Sequence, residues 1–206
     1  MVSSVLLDTA IDRFGQFGFE GASTRDIARA SGTAMSSITY HFGGKHGLYL
    51  AAADHIAAGI AALQSDRLAA ARATGDASRE AARDAALGLI DGFGRMMLAK
   101  ETEAWSRFII REQQAPTEAF QRIFDGAMRA LSDTVIALVA RARPDLADRE
   151  ARATAILLVG QALVLRAGRA AVCRVLDTDE LDARASDLLL RRLHANTRCI
   201  LSETPE

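Results

Sequence analysis

Ser23-Thr24-Arg25-Asp26-Ile27-Ala28-Arg29-Ala30-Ser31-Gly32-Thr33-Ala34-Met35-Ser36-Ser37-Ile38-Thr39-Tyr40-His41-Phe42-Gly43-Gly44-Lys45 decides the reading of this chain. The Ser23 hydroxyl is placed to cap the Asp26 amide while the Asp26 carboxylate reaches back, a variant of the capping box. A short helix then runs through Ile27, Ala28 and Ala30 and stops at Ser31-Gly32. A second helix of about two turns, Ala34 to Phe42, ends at Gly43-Gly44. Two short helices joined by a tight turn with Gly are the grammar of a helix-turn-helix. Ahead of them, residues 3–17 place Val5, Leu6, Ala10, Arg13, Phe14 and Phe17 near one face at helical spacing, and Gly15, Gly18 and Gly21 close that helix.

Outward from this core, the chain is built for helices. Of its 206 residues, 41 are Ala and 23 are Leu, with three Pro and 5% aromatics. That composition excludes a sandwich, a barrel or a parallel sheet. Half of the residues are hydrophobic and a quarter are charged, which excludes a disordered chain. Six longer helices are expected at 46–72, 78–99, 102–114, 117–142, 148–175 and 179–201, giving about nine in all. Thr74-Gly75-Asp76, Ala115-Pro116 and Arg143-Pro144-Asp145 separate them, and Asp177 with Glu180 is expected to cap the last. The fold class is all-α: a three-helix head of residues 1–45 and a helical bundle of residues 46–206. The longest uncharged segment of the apolar second half, Ala153 to Leu165, is too short for a span of ~20 residues. No membrane association is expected. The N-terminus lacks a basic secretory n-region, and Cys173 and Cys199 are too few for a disulfide framework or a zinc site, so the compartment is read as the cytoplasm.

The net charge of −1 does not by itself suggest nucleic acid. Between Gly21 and His46, however, Arg25, Arg29 and Lys45 face only Asp26, an excess of two positive charges. Met35, Ser36, Ser37 and Thr39 present a surface small enough for a helix backbone to approach base edges in a major groove ~12 Å wide. Thr24 stands at a helix N-terminus, where a hydroxyl and amides hold phosphate. Each residue also has a plainer reading: Thr24 as a cap, Arg25 as a solvated charge, Tyr40 as a core aromatic.

Thr24 to Gly32, followed by Ile38 to Lys45, resembles the DNA-binding domain of TetR-family repressors, over roughly residues 5–55. In that family the first part is the positioning helix and turn. The second is the recognition helix, followed by a Tyr-x-Phe-x-x-Lys signature, here Tyr40, Phe42 and Lys45. The resemblance implies base or phosphate contacts for Arg25 and backbone contacts for Tyr40 and Lys45, with His41 beside them. Two positions depart from the pattern: Thr33 replaces a hydrophobic residue, and Ala34 replaces a capping Ser or Asn. Capping by Thr33 would shift the helix start by one residue. Met35 cannot make bidentate hydrogen bonds, so it reads a thymine methyl or nothing. His41 to Tyr49, Phe108 to Phe120 and the helix Gly160 to Val172 are similar to the CecR-like subgroup. That resemblance implies a dimeric, ligand-responsive repressor of double-stranded operator DNA.

An enzyme is not expected. The residues three before His41, His46, His55 and His194 are Ile38, Gly43, Ala52 and Arg191, so the Glu-x-x-His pairs of a di-iron bundle are missing. Neither a His-Glu-x-x-His nor a Gly-x-Ser-x-Gly motif occurs, and no metal or cofactor is implied. Paired acids such as Glu101 and Glu103 sit at helix starts, where the dipole accounts for them. A helical interaction protein without DNA binding is the alternative. For an unknown small-molecule effector, the candidate pocket residues are Phe93, Met97, Trp105, Phe108, Phe124 and Met128, with Arg107 and Arg111 as polar anchors. Flexible Met beside aromatics suits an adaptable apolar pocket, and it also suits an ordinary core. The last two helices carry more apolar perimeter than one bundle face can cover, so a homodimer is expected through Ile156, Gly160, Leu163, Ala167, Leu181 and Leu189.

Overall fold

The computed structural model describes residues 4–74 and 78–202, and regular structure among them is helical throughout. The order is α1 (Ser4–Gly21), α2 (Thr24–Ala30), α3 (Met35–Phe42), α4 (Lys45–Ala73) and α5 (Arg79–Leu98). A 3₁₀ turn (Lys100–Thr102), α6 (Glu103–Gln114), α7 (Glu118–Ile123) and a π turn (Phe124–Met128) follow. The chain ends with α8 (Arg129–Ala142), α9 (Asp148–Ala167), α10 (Arg169–Val175) and α11 (Ala183–Ser202). Gly75 and Asp76, expected to break the chain after α4, lie outside the described residues. No single described helix is long and apolar enough to cross a membrane.

Packing divides the chain into two compact units, one of residues 1–63 and 101–129, the other of residues 64–100 and 130–206. This is a partition by compactness, and the seam expected at residue 45 is one of role. In the first unit Leu6, Ala10, Ile11 and Phe14 of α1 are buried with Ile27, Ile38, Leu48, Ile56 and Phe108. Phe14 meets the Tyr49 ring edge-on at 4.8 Å, and Tyr49 lies 4.7 Å from Phe108. Val5 and Phe17, expected on the inward face of α1, are about half exposed. They occupy the first turn and the last turn before Gly18, whose φ of 74° takes the chain off the helical path.

The second unit buries Ala82, Ala86, Leu89 and Ile90 of α5 against Leu131, Val135, Leu138 and Val139 of α8. Ala151, Ala155, Leu158 and Ala162 of α9, with Leu193 and Leu201 of α11, complete this core. Each fully buried Val, Leu or Ile there contributes about 1.5–3 kcal/mol. Helix 148–175 is not continuous: it breaks at Gly168, and α9 and α10 meet at 82°. The last helix starts at Ala183 and not at 179. Its cap is Asp182, whose Oδ1 accepts the Ala185 amide at 2.7 Å, whereas Asp177 adopts a left-handed φ of 51°. The expected helix 117–142 is continuous but passes through the π turn, which shifts side-chain phase between α7 and α8.

Candidate nucleic-acid interface

The head is assembled as the residue types dictate. Ser23 Oγ accepts the Asp26 amide at 3.4 Å. The Asp26 carboxylate turns to Arg29 at 2.7 Å and does not reach back, so only half of the capping box forms. After α2, Ser31 and Thr33 donate their amides to Ile27 and Ala28 carbonyls, and Gly32 turns the chain at a φ of 65°. Helix α3 begins at Met35 with Ala34 as an extended N-cap lacking a side-chain bond, so Thr33 does not move its start. Ile38, 1% exposed, fixes the inner face of α3.

The opposite face of α3 is open. Met35, Ser36, Thr39, Tyr40 and His41 are exposed and Ser37 is half-buried. Tyr40 is 85% exposed, which removes its core reading; its ring stands edge-on to His41 at 4.9 Å. Thr24 is the first residue of α2, and Arg25 beside it is exposed with no partner among the described residues. The charge excess therefore rests mainly on Arg25 and Lys45, since Arg29 is paired. Lys45 Nζ donates to the Glu20 carbonyl at 3.2 Å and lies 4.8 Å over the Phe19 ring. Gly47 is required two residues later: a Cβ there would stand 1.7 Å from the Phe42 carbonyl oxygen.

The effector candidates fall into both units. Phe93, half-buried, and Met97, buried, belong to the second. Trp105, Phe108, Phe124 and Met128 belong to the first. Trp105 lies so close to Gly59 that a Cβ there would meet its ring at 2.3 Å. Phe108 is buried against Tyr49. Phe124 pairs with Phe120 at 6.0 Å and carries the Arg129 guanidinium over its ring. Both candidate anchors are bonded to α1, Arg107 to Asp12 at 2.8 Å and Arg111 to the Gln16 carbonyl at 3.1 Å, and Arg107 also pairs within α6 with Glu103 at 2.5 Å.

Nothing in the sequence pairs Tyr49 with the carboxylate of Glu112. Glu112 is 3% exposed, and Tyr49 donates its hydroxyl to it at 2.5 Å. Burial, and then the neighbouring carboxylate, push the Tyr49 phenol well above its ordinary pKa. On α9, Ile156 is 63% exposed, Gly160 and Ala167 are exposed, and Leu163 is half-buried. Leu157 and Val164 add exposed apolar surface to that helix. Leu181 is buried within its own chain, and Leu189 is half-buried.

Two family descriptions match. "Bacterial regulatory proteins, tetR family" covers residues 6–52, and "HTH-type transcriptional dual regulator CecR, C-terminal domain" covers residues 82–204. The chain is 28% identical over 203 residues to the HTH-type transcriptional dual regulator CecR of Shigella flexneri, spanning 95% of this chain and 89% of that protein. Its fold is similar to that of a TetR-family transcriptional regulator from Streptomyces coelicolor, with a TM-score of 0.62 and 20% identity over 96% of this chain and 93% of the other. It is also similar to FadR of Bacillus subtilis in complex with stearoyl-CoA, with a TM-score of 0.57 and 14% identity over 93% and 97% of the two chains.

Proposed function

We infer that this chain, which belongs to the TetR family of bacterial regulatory proteins and carries a CecR-type C-terminal domain, is a cytoplasmic repressor that binds a pseudo-palindromic operator as a homodimer. One observation carries the reading. The outer face of α3 is small, polar and uncovered, beside an Arg25 with no partner among the described residues, in a frame fixed by Ile27 and Ile38. In this reading Met35, Ser36, Ser37 and Thr39 meet base edges, while Thr24, Arg25, Tyr40, His41 and Lys45 meet the backbone.

Residues 46–206 serve effector binding and dimerisation. The effector is a small, largely apolar molecule contacting part of the set Phe93, Met97, Trp105, Phe108, Phe124 and Met128. The π turn supports this choice, because such turns recur at functional sites; the Bacillus subtilis neighbour holds stearoyl-CoA, a ligand with a long apolar acyl chain, on a similar fold. Arg107 and Arg111 are the candidate polar anchors, each with α1 as an existing partner. Binding shifts the protein off DNA only where the ligand prefers the DNA-incompetent arrangement. Selection of genomic fragments on the purified protein tests the reading. Enrichment of a two-fold related motif is expected. Failure to retard any fragment, including the DNA beside its own gene, leaves a helical interaction protein instead.

A further inference from the structure

The segment Arg111-Glu112-Gln113-Gln114-Ala115-Pro116-Thr117-Glu118-Ala119-Phe120 is not used by DNA contact, yet its first two residues grip three other helices. Arg111 Nη2 donates to the Gln16 carbonyl at 3.1 Å, just before the kink at Gly18 within α1. A guanidinium next to a helix kink can bond carbonyls that the kink turns away from the regular ladder. A Cβ on Gly18 would lie 3.2 Å from Arg111 Nη1, so the bare glycine, itself at positive φ, leaves room for the guanidinium.

Glu112 grips the other two. Oε1 accepts the Tyr49 hydroxyl of α4 at 2.5 Å. Oε2 accepts Thr117 Oγ1 at 2.7 Å, the Thr117 amide at 3.1 Å and the Phe120 amide at 3.0 Å, at the start of α7. A carboxylate this deeply buried depends on all of its donors, because losing some leaves charge without compensation. Tyr49 in turn lies one helical turn into α4, beside Leu48, which is fully buried, and next to Gly47 against the Phe42 carbonyl that ends α3. A continuous set of close contacts therefore runs from the α7 amides through Glu112 and Tyr49 to the end of the recognition helix. All of it lies inside one compact unit.

We propose that Glu112 is a positioning residue that ties the start of α7 to the setting of α3, so that DNA affinity depends on its simultaneous hold on Tyr49 and on the α7 amides. The DNA part rests on the function proposed above; the mechanical part does not. An apolar ligand that displaced Phe120 or Phe124 would draw the Phe120 amide from Glu112 and loosen α4 at Tyr49.

Three variants of the full chain separate the links. Tyr49→Phe removes the α4 bond and leaves the α7 cap. Glu112→Gln keeps an acceptor for Tyr49 but turns an amide donor toward the Thr117 and Phe120 amides. Thr117→Val removes the hydroxyl's bond to Glu112 and its cap on the Ala119 amide, and leaves both backbone amides on Glu112. Hydrogen exchange is followed at residues 35–48 and 117–123, together with affinity for the genomic fragments that the unmodified protein retains. In all three variants exchange in 35–48 is expected to accelerate at least threefold. Tyr49→Phe is expected to do so without matching acceleration in 117–123. Affinity is expected to fall at least tenfold for Tyr49→Phe and Glu112→Gln. If circular dichroism shows that either has not folded, Thr117→Val decides the tie by the same exchange criterion. Exchange in 35–48 within twofold of the unmodified protein in every folded variant, with α7 alone loosened, overturns the proposal and leaves Glu112 as a helix cap. If the unmodified protein retains no DNA, the repressor reading fails, while the exchange measurement still decides the tie.

Discussion

Arg25 and Lys45 are both cations of the head, but their surroundings differ. Arg25 is solvated and unpaired among the described residues, whereas Lys45 already gives one N–H to Glu20 and rests on Phe19. An ammonium has three donors, so Lys45 has two left for a phosphate. Removing one phosphate contact weakens all sequences alike and lowers the salt slope by about one. Arg25→Ala and Lys45→Ala are each expected to do this, with Lys45→Ala also lowering the melting temperature through loss of its Glu20 bond. Substituting Ser36 or Thr39 is expected instead to change which operator is preferred. A salt titration in which Lys45→Ala leaves the slope untouched confines Lys45 to holding α1 against α4. At this scale the sequence discloses residue type and helix face. It does not disclose partners: Lys45 bonds a backbone carbonyl 25 residues back, and Glu112 bonds Tyr49 from 63 residues ahead. No periodicity encodes those distances.

Between elements, single polar side chains fasten one connection to another. Arg143, 8% exposed, donates Nε and Nη2 to Asp145 at 2.9 and 2.7 Å and Nη1 to the Ile200 carbonyl at 2.7 Å. It thereby fastens the α8–α9 connection to the end of α11. Arg143's hydrogen bonds hold the Asp145 carboxyl below its usual value. A depressed folded pKa adds stability that is present above the unfolded value of ~4 and is lost as pH falls through the lower folded one. The melting temperature is therefore expected to drop between pH 5 and pH 3, and Asp145→Asn, already less stable at neutral pH, should drop less. Equal drops in both proteins would remove Asp145 from the acid response. The helices themselves were legible from Ala/Leu periodicity and from Gly and Pro punctuation. Gly168 was not legible as a break, because apolar residues continue in helical phase on both sides of it. The start of α11 was misplaced because Asp177 and Asp182 are equally good caps in isolation, and only the left-handed turn at Asp177 excludes the first.

For the whole molecule, the decisive feature is a helix that is apolar on two sides. Ala151, Ala155, Leu158, Ala162 and Leu165 of α9 face the core of their own unit. Ile156, Leu157, Gly160, Val164 and Ala167 lie on the opposite side and are exposed, and a Cβ on Gly160 would meet nothing within 4 Å. An exposed stripe of that composition invites a self-complementary partner, and the same helix from a second copy across a two-fold axis would supply one. On α11, Leu188 is 40% exposed and Leu189 is half-buried. Leu181, buried in its own chain, adds nothing to that surface. Gly160→Asp or Leu157→Asp would place a carboxylate in this seam without touching the core, so a folded monomer is expected, with a melting temperature lowered by the loss of association and no longer dependent on protein concentration. That monomer should lose operator affinity by roughly 10²–10⁴-fold, because two linked half-site contacts become one. Leu158→Ala, on the fully buried side of the same helix, should behave oppositely: it costs about 2–5 kcal/mol of stability and keeps the dimer. Sedimentation of the unmodified protein as a monomer at micromolar concentration would defeat this assignment of the outer face of α9, and with it the expectation of a two-fold operator.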